Sequence, residues 1–293
     1  MNQNRLLAQI LSLSACCIAL FIQCSPAKQA AGKNDGKEVI FFDDFSGNSL
    51  DRTKWNVRVT GGTVNNEQQA YVDSALTISI VQAEGAANGA LQLQPFFSPG
   101  FTTKEGKKFD FISGRIDSRS KVEFMYGTAS ARIKLTEGTG LWPAWWILGQ
   151  GRWPESGEID VMEYVGEKDW ASAAVHGPGY SGETPFVDRL YFPANDDVTN
   201  WHIYTVDWTP DSMIFKYDDI IMFRVTKSMV GHFGKWTFDN NKFMILNFAL
   251  GGAYPVKING VREPYFGLPA STVELIKNKR SKMLVDWVRI TKN

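Results

Sequence analysis

Five stretches of this chain alternate apolar and polar residues with a period of two: "GALQLQP" (89–95), "TASARIKL" (128–135), "IYTVDWT" (203–209), "MIFKYDD" (213–219) and "KMLVDWVRI" (282–290). A β-strand sends successive side chains to opposite faces, so segments of this kind bury one face and wet the other. Gly, Asn, Asp and Pro clusters such as "TPDS" and "DDI" separate them, and amphipathic helical spacing is almost absent. Many short strands with turn signals between them specify an all-β fold, an antiparallel sandwich or barrel. One helix is expected, over "PASTVELIKNK", where Pro269 and Ser271 supply start signals and no Gly interrupts.

The chain has 293 residues, 44% of them hydrophobic, enough apolar material for one large core. From Val39 onward there is no second linker, no low-complexity tract and no repeat, so residues 39–293 are read as one domain. Lys and Arg (31) balance Asp and Glu (31), which leaves no overall field to draw in nucleic acid or an anionic membrane. A neutral partner is favoured, and a monomer is expected.

All three cysteines, Cys16, Cys17 and Cys24, lie near the start, so the rest of the chain has no internal disulfide, thiolate metal site or cysteine nucleophile. Arg5 precedes the apolar run "LLAQILSLSACCIALFIQC", which passes into the polar "SPAKQAAGKNDGKE". A basic start, an apolar centre and a small-residue boundary describe a secretory signal of the bacterial lipoprotein kind, in which a cysteine is acylated after cleavage. "LSAC" ending at Cys16 has the better small-residue pattern, whereas Cys24 stands where apolar sequence gives way to linker and leaves no greasy mature terminus. Cys24 is preferred. Residues 1–23 are then the signal and 24–38 a flexible linker, and the domain is exported, either held at the outer membrane by lipid on Cys24 or secreted. The alternative is an uncleaved anchor, since the run approaches the ~20 residues that span a bilayer.

The stretch "SGEIDVMEYVG" (156–166) sets Glu158, Asp160 and Glu163 among apolar neighbours. A helix uses it poorly, because Glu158 and Asp160 would lie ~200° apart around the axis. A plain strand puts Glu163 on the face opposite the other two. One extra residue inserted as a β-bulge near Val161 and Met162 restores parity and turns all three acids to one side. Glu158 and Glu163 would then stand about 13 Å apart at Cα, at ~3.3 Å per strand step, and their side chains could lean to about 5 Å. That is the separation a retaining glycosidase uses, one carboxylate attacking the sugar and the other protonating the leaving oxygen. Carboxylates so close share a proton near neutral pH, and Asp160 between them would tune the pair. The alternatives are the solvent face of an ordinary amphipathic strand and a Ca²⁺ site.

The residues just upstream discriminate between these. "GTGLWPAWWILGQGRWPESGEID" brings Trp142, Trp145, Trp146 and Trp153 close before Glu158. Flat rings with an N–H handle suit pyranose faces, while carboxylates and amides take the hydroxyls. Trp145, adjacent to Trp146 and so on the opposite face of a strand, reads as core; Trp153, in a Gly/Pro-rich loop, reads as a sugar platform.

"WPAWWILG…WPESGEIDVMEYVG" resembles the signature of glycoside hydrolase family 16, in its laminarinase-like branch. The resemblance extends over nearly all of residues 39–293 through "FFDDFSGNSLDRTKW", "NNEQQAY", "YGTASARIKL", "WHIYTVDWTPDSMIFKYDD", "ILNFALGG" and "VDWVRI". It implies a jelly-roll β-sandwich of two curved antiparallel sheets, with the acids on the concave face. It implies Glu158 as nucleophile, Asp160 as its supporting acid and Glu163 as general acid/base, in the bulged E-x-D-x-x-E spacing of laminarinases, agarases and carrageenases. By resemblance Trp142, Trp146 and Trp153 line the subsites and His176 lies near the acid/base, with Asn66, Glu67 and Asn247 as further cleft candidates. A structural Ca²⁺ held by Asp44, the Gly89 carbonyl and Asp286 is also implied, whereas the chemistry requires no cofactor. His202 and His232 are read as structural. After "LGGAYP" the segment "VKINGVREPYFGLPASTVELIKNKRSK" is longer than the short return of many laminarinases.

The resulting expectation is an exported retaining endo-glycosidase acting on β-1,3-glucan. A hydrolase of mixed-linkage glucan, or of a galactan such as agar or carrageenan, shares the chemistry; a sulfated galactan would require Arg or Lys in the cleft, and Arg152 is the nearby candidate. A non-catalytic carbohydrate-binding module or lectin shares the fold, but retention of both Glu158 and Glu163 argues against it.

Overall fold

The computed structural model describes residues 36–62 and 64–293; residues 1–23, read above as a signal, Cys24, and most of the segment read as a linker lie outside the described residues. Strands are numbered β1–β19 and helices α1–α3 in chain order, and the fold is a jelly-roll sandwich of two antiparallel sheets. The first sheet runs β17 (Ile220–Thr226), β16 (Ser212–Tyr217), β15 (His202–Trp208), β10 (Gly127–Lys134), β19 (Met283–Thr291), β5 (Ala90–Leu93) and β4 (Ile78–Val81), with β1 (Val39–Asp43) also on β19. The second runs β14 (Phe186–Tyr191), β13 (Trp170–His176), β12 (Glu158–Glu163), β11 (Leu141–Gly149), β18 (Lys242–Leu250), β8 (Arg115–Asp117) and β2 (Asn56–Val57), with β9 (Glu123–Phe124) on β18.

All five period-two segments are strands, and their parity defines the core. Ala129, Ala131 and Ile133 of β10 face Ile159, Val161 and Met162 of β12 and Trp145 and Ile147 of β11 within one buried cluster. The other face of the second sheet carries the acids. A small third sheet, β3 (Gln69–Tyr71), β7 (Lys108–Ser113) and β6 (Phe96–Thr102), docks beside β18. The Leu250 N–H donates to Gln69 Oε1 at 2.7 Å, and Ser113 Oγ donates to the Phe248 carbonyl at 2.6 Å. These bonds bring residues 64–71 to the edge of the acid-bearing face.

The expected helix is α3 (Ala270–Lys277); Pro269 is its N-cap, without a side-chain capping bond, and Thr272, Val273 and Ile276 are its buried positions. Two short helices were not expected, α1 (Lys227–Gly231) and α2 (Ala253–Asn259). Thr226 caps α1, accepting from the Met229 N–H. α2 lies in the long return after "LGGAYP" and has no side-chain cap. Its order comes instead from Tyr254 and Ile258, which pack on Trp142, Val165, Trp170 and Ala249 outside the main core.

The Ca²⁺ set implied by the resemblance is not assembled as free ligands. Asp44 accepts from Asn88 Nδ2 at 2.8 Å, and Gly89 packs so closely that a Cβ there would lie 2.3 Å from the Phe45 carbonyl oxygen. Asp286, however, is fully buried and holds Arg132 Nη1 at 2.6 Å on one oxygen and the Ala87 N–H at 2.8 Å on the other. A carboxylate already neutralised by a buried guanidinium does not fit as a third metal ligand. The pair arises from register: Ile133 opposes Val285 and Arg132 opposes Trp287, so Asp286 is the extra residue of a bulge, turned toward Arg132.

Asp286→Ala would strand a buried guanidinium, at a cost of ~3–5 kcal/mol. Urea unfolding of the variant should show this loss, and the loss should be the same with and without a chelator.

Candidate active site

In the β11–β12 ladder Trp145 opposes Met162 and Trp146 opposes Asp160, leaving Val161 unpaired. The β12–β13 ladder shifts register over the same interval, between Asp160 and Glu163. Val161 and Met162 both stay in the core, and Glu158, Asp160 and Glu163 all face the other side. The bulge expected from the spacing is therefore present at the expected place.

Two abutting cavities, about 650 and 430 Å³, lie over this face, and Asn65, Trp142, Trp153, Glu158 and Glu163 line both. They form one cleft across the strands with the two glutamates at its waist. The larger lobe extends over β13 and β14 to Val187, Arg189 and Tyr191, with Tyr254 and Lys257 of α2 on its other wall. The smaller extends over β11, β18 and β8 to Trp146, Asn247 and Arg115, with Glu67 and Tyr71 beside them.

Trp142 Nε1 donates to Glu163 Oε1 at 3.0 Å, and Trp153 stands beside Glu158 at the waist. Burial is the main cause that pushes all three carboxyls upward, Glu158 and Glu163 to about 8; the neighbouring Asp160 adds to the rise in both, while His176 and the indoles act against it. Three acids this close titrate as a set, and the set keeps a proton at neutral pH.

His176 opposes Glu158 across the ladder, and its Nε2 lies 3.3 Å from Asp160 Oδ2. Its Nδ1 accepts from the Gly182 N–H at 3.2 Å, so the ring proton resides on Nε2; that N–H is not aligned with Asp160 Oδ2, which has no hydrogen-bond partner among the described residues. The resemblance implied a histidine near the acid/base, Glu163; His176 acts on that carboxyl and lies directly beside Asp160 and Glu158. One ligand atom each from Glu158, Asp160 and His176 fall within 4.8 Å of one another, a set that could also hold a metal ion.

The tryptophans differ in what they offer. Trp153 is 44% exposed over both lobes, as a platform should be, and its ring is 6.1 Å from that of His176. Trp142 is only 8% exposed, because Tyr254 packs edge-on against it at 5.7 Å. It offers the cleft an N–H on Glu163 more than a free face. Trp146 is half-buried, donates Nε1 to Asn247 Oδ1 at 2.7 Å and carries the Arg115 guanidinium 4.9 Å from its ring centre. Asn247 Nδ2 in turn donates to the Tyr71 hydroxyl at 3.0 Å, so this amide orients Trp146. Trp145 is core, as read from its parity.

Of the loop candidates, Glu67 lines the smaller lobe and burial raises its pKa, but Asn66 does not line the cleft. Its neighbour Asn65 does, since both adopt left-handed backbone (φ 54° and 55°) and the turn directs the first inward. Arg152 is exposed in its loop. Arg115, which the sequence did not single out, is the cleft arginine: it is largely buried, and its Nε has no partner among the described residues. Tyr254, Arg189 and Tyr191 were missed as well, and nothing local marks them: "FVDRLY" lacks period-two alternation.

A carboxyl raised above its unfolded value contributes stability that is complete below the unfolded pKa and is lost as pH rises through the folded one, here from about 4.5 to about 8 for Glu163. Glu163→Gln removes that loss. The variant should therefore melt several degrees above the wild type at pH 9 and close to it at pH 4, as read by calorimetry.

Residues 51–253 match the family model described as glycosyl hydrolases family 16. The chain is 29% identical over 264 residues to a beta-glucanase from Rhodothermus marinus, covering 85% of this chain and 88% of that protein. It is 29% identical over 283 residues to glucan endo-1,3-beta-glucosidase A1 from Niallia circulans, covering 88% of this chain but 38% of that longer protein. Among solved structures, the endo-beta-1,3-glucanase from Pyrococcus furiosus gives a TM-score of 0.75 at 31% identity, covering 88% of this chain and 96% of that one.

Proposed function

This chain belongs to glycosyl hydrolase family 16, and from that premise we propose that it is a retaining endo-β-1,3-glucanase acting through Glu158 and Glu163. The observation that carries the reading is the pair of glutamates on one face of a bulged strand, flanked by Trp142 and Trp153, at the waist of a cleft open on both sides. In the first step the Glu158 carboxylate attacks the anomeric carbon, the glycosidic C–O bond breaks, and the Glu163 carboxyl gives its proton to the leaving oxygen. In the second, Glu163 takes a proton from water as that water displaces Glu158, which restores both groups and the original anomeric configuration. Asp160, with His176 beside it, supports the nucleophile and keeps the shared proton high. Paired carboxylates need no cofactor for this chemistry.

The substrate is a neutral glucan on this reading. Arg115 favours a second one, an anionic galactan, because a buried guanidinium beside Trp146 could meet a sulfate. Glu67 lines the same lobe, and its charge acts on Arg115, which weakens the case for an anion there. For location, the N-terminal run supports export, with Cys24 as the lipid-bearing residue.

Reducing-sugar release from laminarin, lichenan, agarose and carrageenan tests the assignment, and laminarin is expected to be cleaved fastest. Glu158→Ser should abolish turnover while leaving oligosaccharide binding; normal laminarin turnover by that variant would sink the mechanism. Trp153→Ala should raise KM by the equivalent of ~1–3 kcal/mol with little change in kcat, the range known for loss of a stacking ring. Unchanged laminarin kinetics would remove Trp153 from the cleft's binding surface.

A further inference from the structure

Lys242 opens β18 on the side away from the acids, and its side chain is fully buried. The ammonium donates to the carbonyls of Ser156 at 2.6 Å, Thr237 at 3.1 Å and Gly157 at 3.3 Å, and to Asn240 Oδ1 at 3.0 Å. The rings of Phe238 and Trp208 lie 5.2 and 5.9 Å from Nζ. Packing alone does not explain a lysine here, since an apolar side chain would fill the space without taking a charge out of water. Burial pushes the ammonium down to about 7, with Asp239 acting against that, and the four oxygens also favour the charged form.

Two of the four oxygens belong to Ser156 and Gly157, directly before Glu158, at the end of the 150–157 loop that presents Trp153. The other two belong to the 237–240 turn. The backbone is shaped to let these segments meet. Gly157 has φ +70°, and a Cβ there would lie 2.6 Å from the Thr237 carbonyl oxygen and 2.9 Å from Lys242 Nζ. A Cβ at Gly149 would lie 2.1 Å from the Ser156 carbonyl oxygen.

We propose that Lys242 is a positioning residue whose ammonium staples the 150–157 loop to the sandwich, fixing Trp153 and the start of β12 for substrate binding. It touches no substrate and acts through the loop. The inference rests on the reading of the cleft as a glycan site.

Lys242→Met keeps most of the stem and deletes the cation, and Lys242→Ala leaves a slot that propylammonium fits. In both variants, amide hydrogen exchange in residues 150–157 should quicken by about tenfold or more, and KM for laminarin should rise by about fivefold with kcat changed less than about twofold. Propylammonium added to Lys242→Ala should restore both readouts, and propanol should restore neither. Wild-type exchange and KM in Lys242→Met would show that only packing matters and overturn the proposal, as would failure of propylammonium to restore either readout. If neither lysine variant folds, Asn240→Ala, which removes one acceptor, carries the test: faster exchange with raised KM supports the staple, and no change in either overturns it. Exchange needs no substrate, so an enzyme inert on laminarin would discard the glucan reading while the staple is judged by exchange alone.

Discussion

The cleft depends on one residue more in β12 than its partner strand can match. Without the unpaired Val161, Glu163 would share a face with Ile159 and be driven into the core, and the two glutamates could not serve one ligand. With it, Val161 and Met162 both remain among apolar neighbours and the hydrophobic pattern is kept on each side of the break. β19 uses the same device, with Val285 and Val288 in the core and Asp286 turned to Arg132 between them. In each case the bulge frees an acid from the alternation that the sandwich otherwise enforces. One acid is then neutralised by a cation, and the others are left to titrate among themselves.

That difference separates structural from reactive charge in this molecule. Asp286 is closed off by a guanidinium and a backbone N–H, a satisfied group with nothing left to give. Glu158 and Glu163 are half-buried and Asp160 is buried between them, with no cation bonded to any of the three, so burial works against their ionisation. The sandwich bears this unfavourable arrangement because the ladders on both sides of β12 hold the backbone. Polar groups fixed in advance around the waist are also what charge development in a glycosidic transition state requires.

Much of this was legible in the sequence because it is local. Period two marked the strands, the E-x-D-x-x-E spacing marked the bulge, and adjacency assigned Trp145 and Trp146 to opposite faces. What was not legible depends on where distant segments meet. Arg115 reaches the cleft only because β8 pairs with β18, and Asn65 rather than Asn66 enters it because of the sense of one turn. Tyr254 changes the role of Trp142 from seven strands further along the chain, through a helix too short to be signalled by propensity. The lipoprotein reading of the N-terminus rests on residues outside those described.

Trp153 has a further consequence, which is optical. The chain has ten tryptophans, and Trp153 is the one whose side chain is largely open to solvent; Trp55, Trp142, Trp145, Trp170, Trp208, Trp236 and Trp287 are buried. Collisional quenchers in water therefore reach this indole most readily, ahead of the partly buried Trp146 and Trp201, and it stands on the lip of both lobes beside Glu158. A sugar ring laid on it would shield it from the quencher, so the native protein carries its own label for occupancy of the waist, at the position where binding and chemistry adjoin.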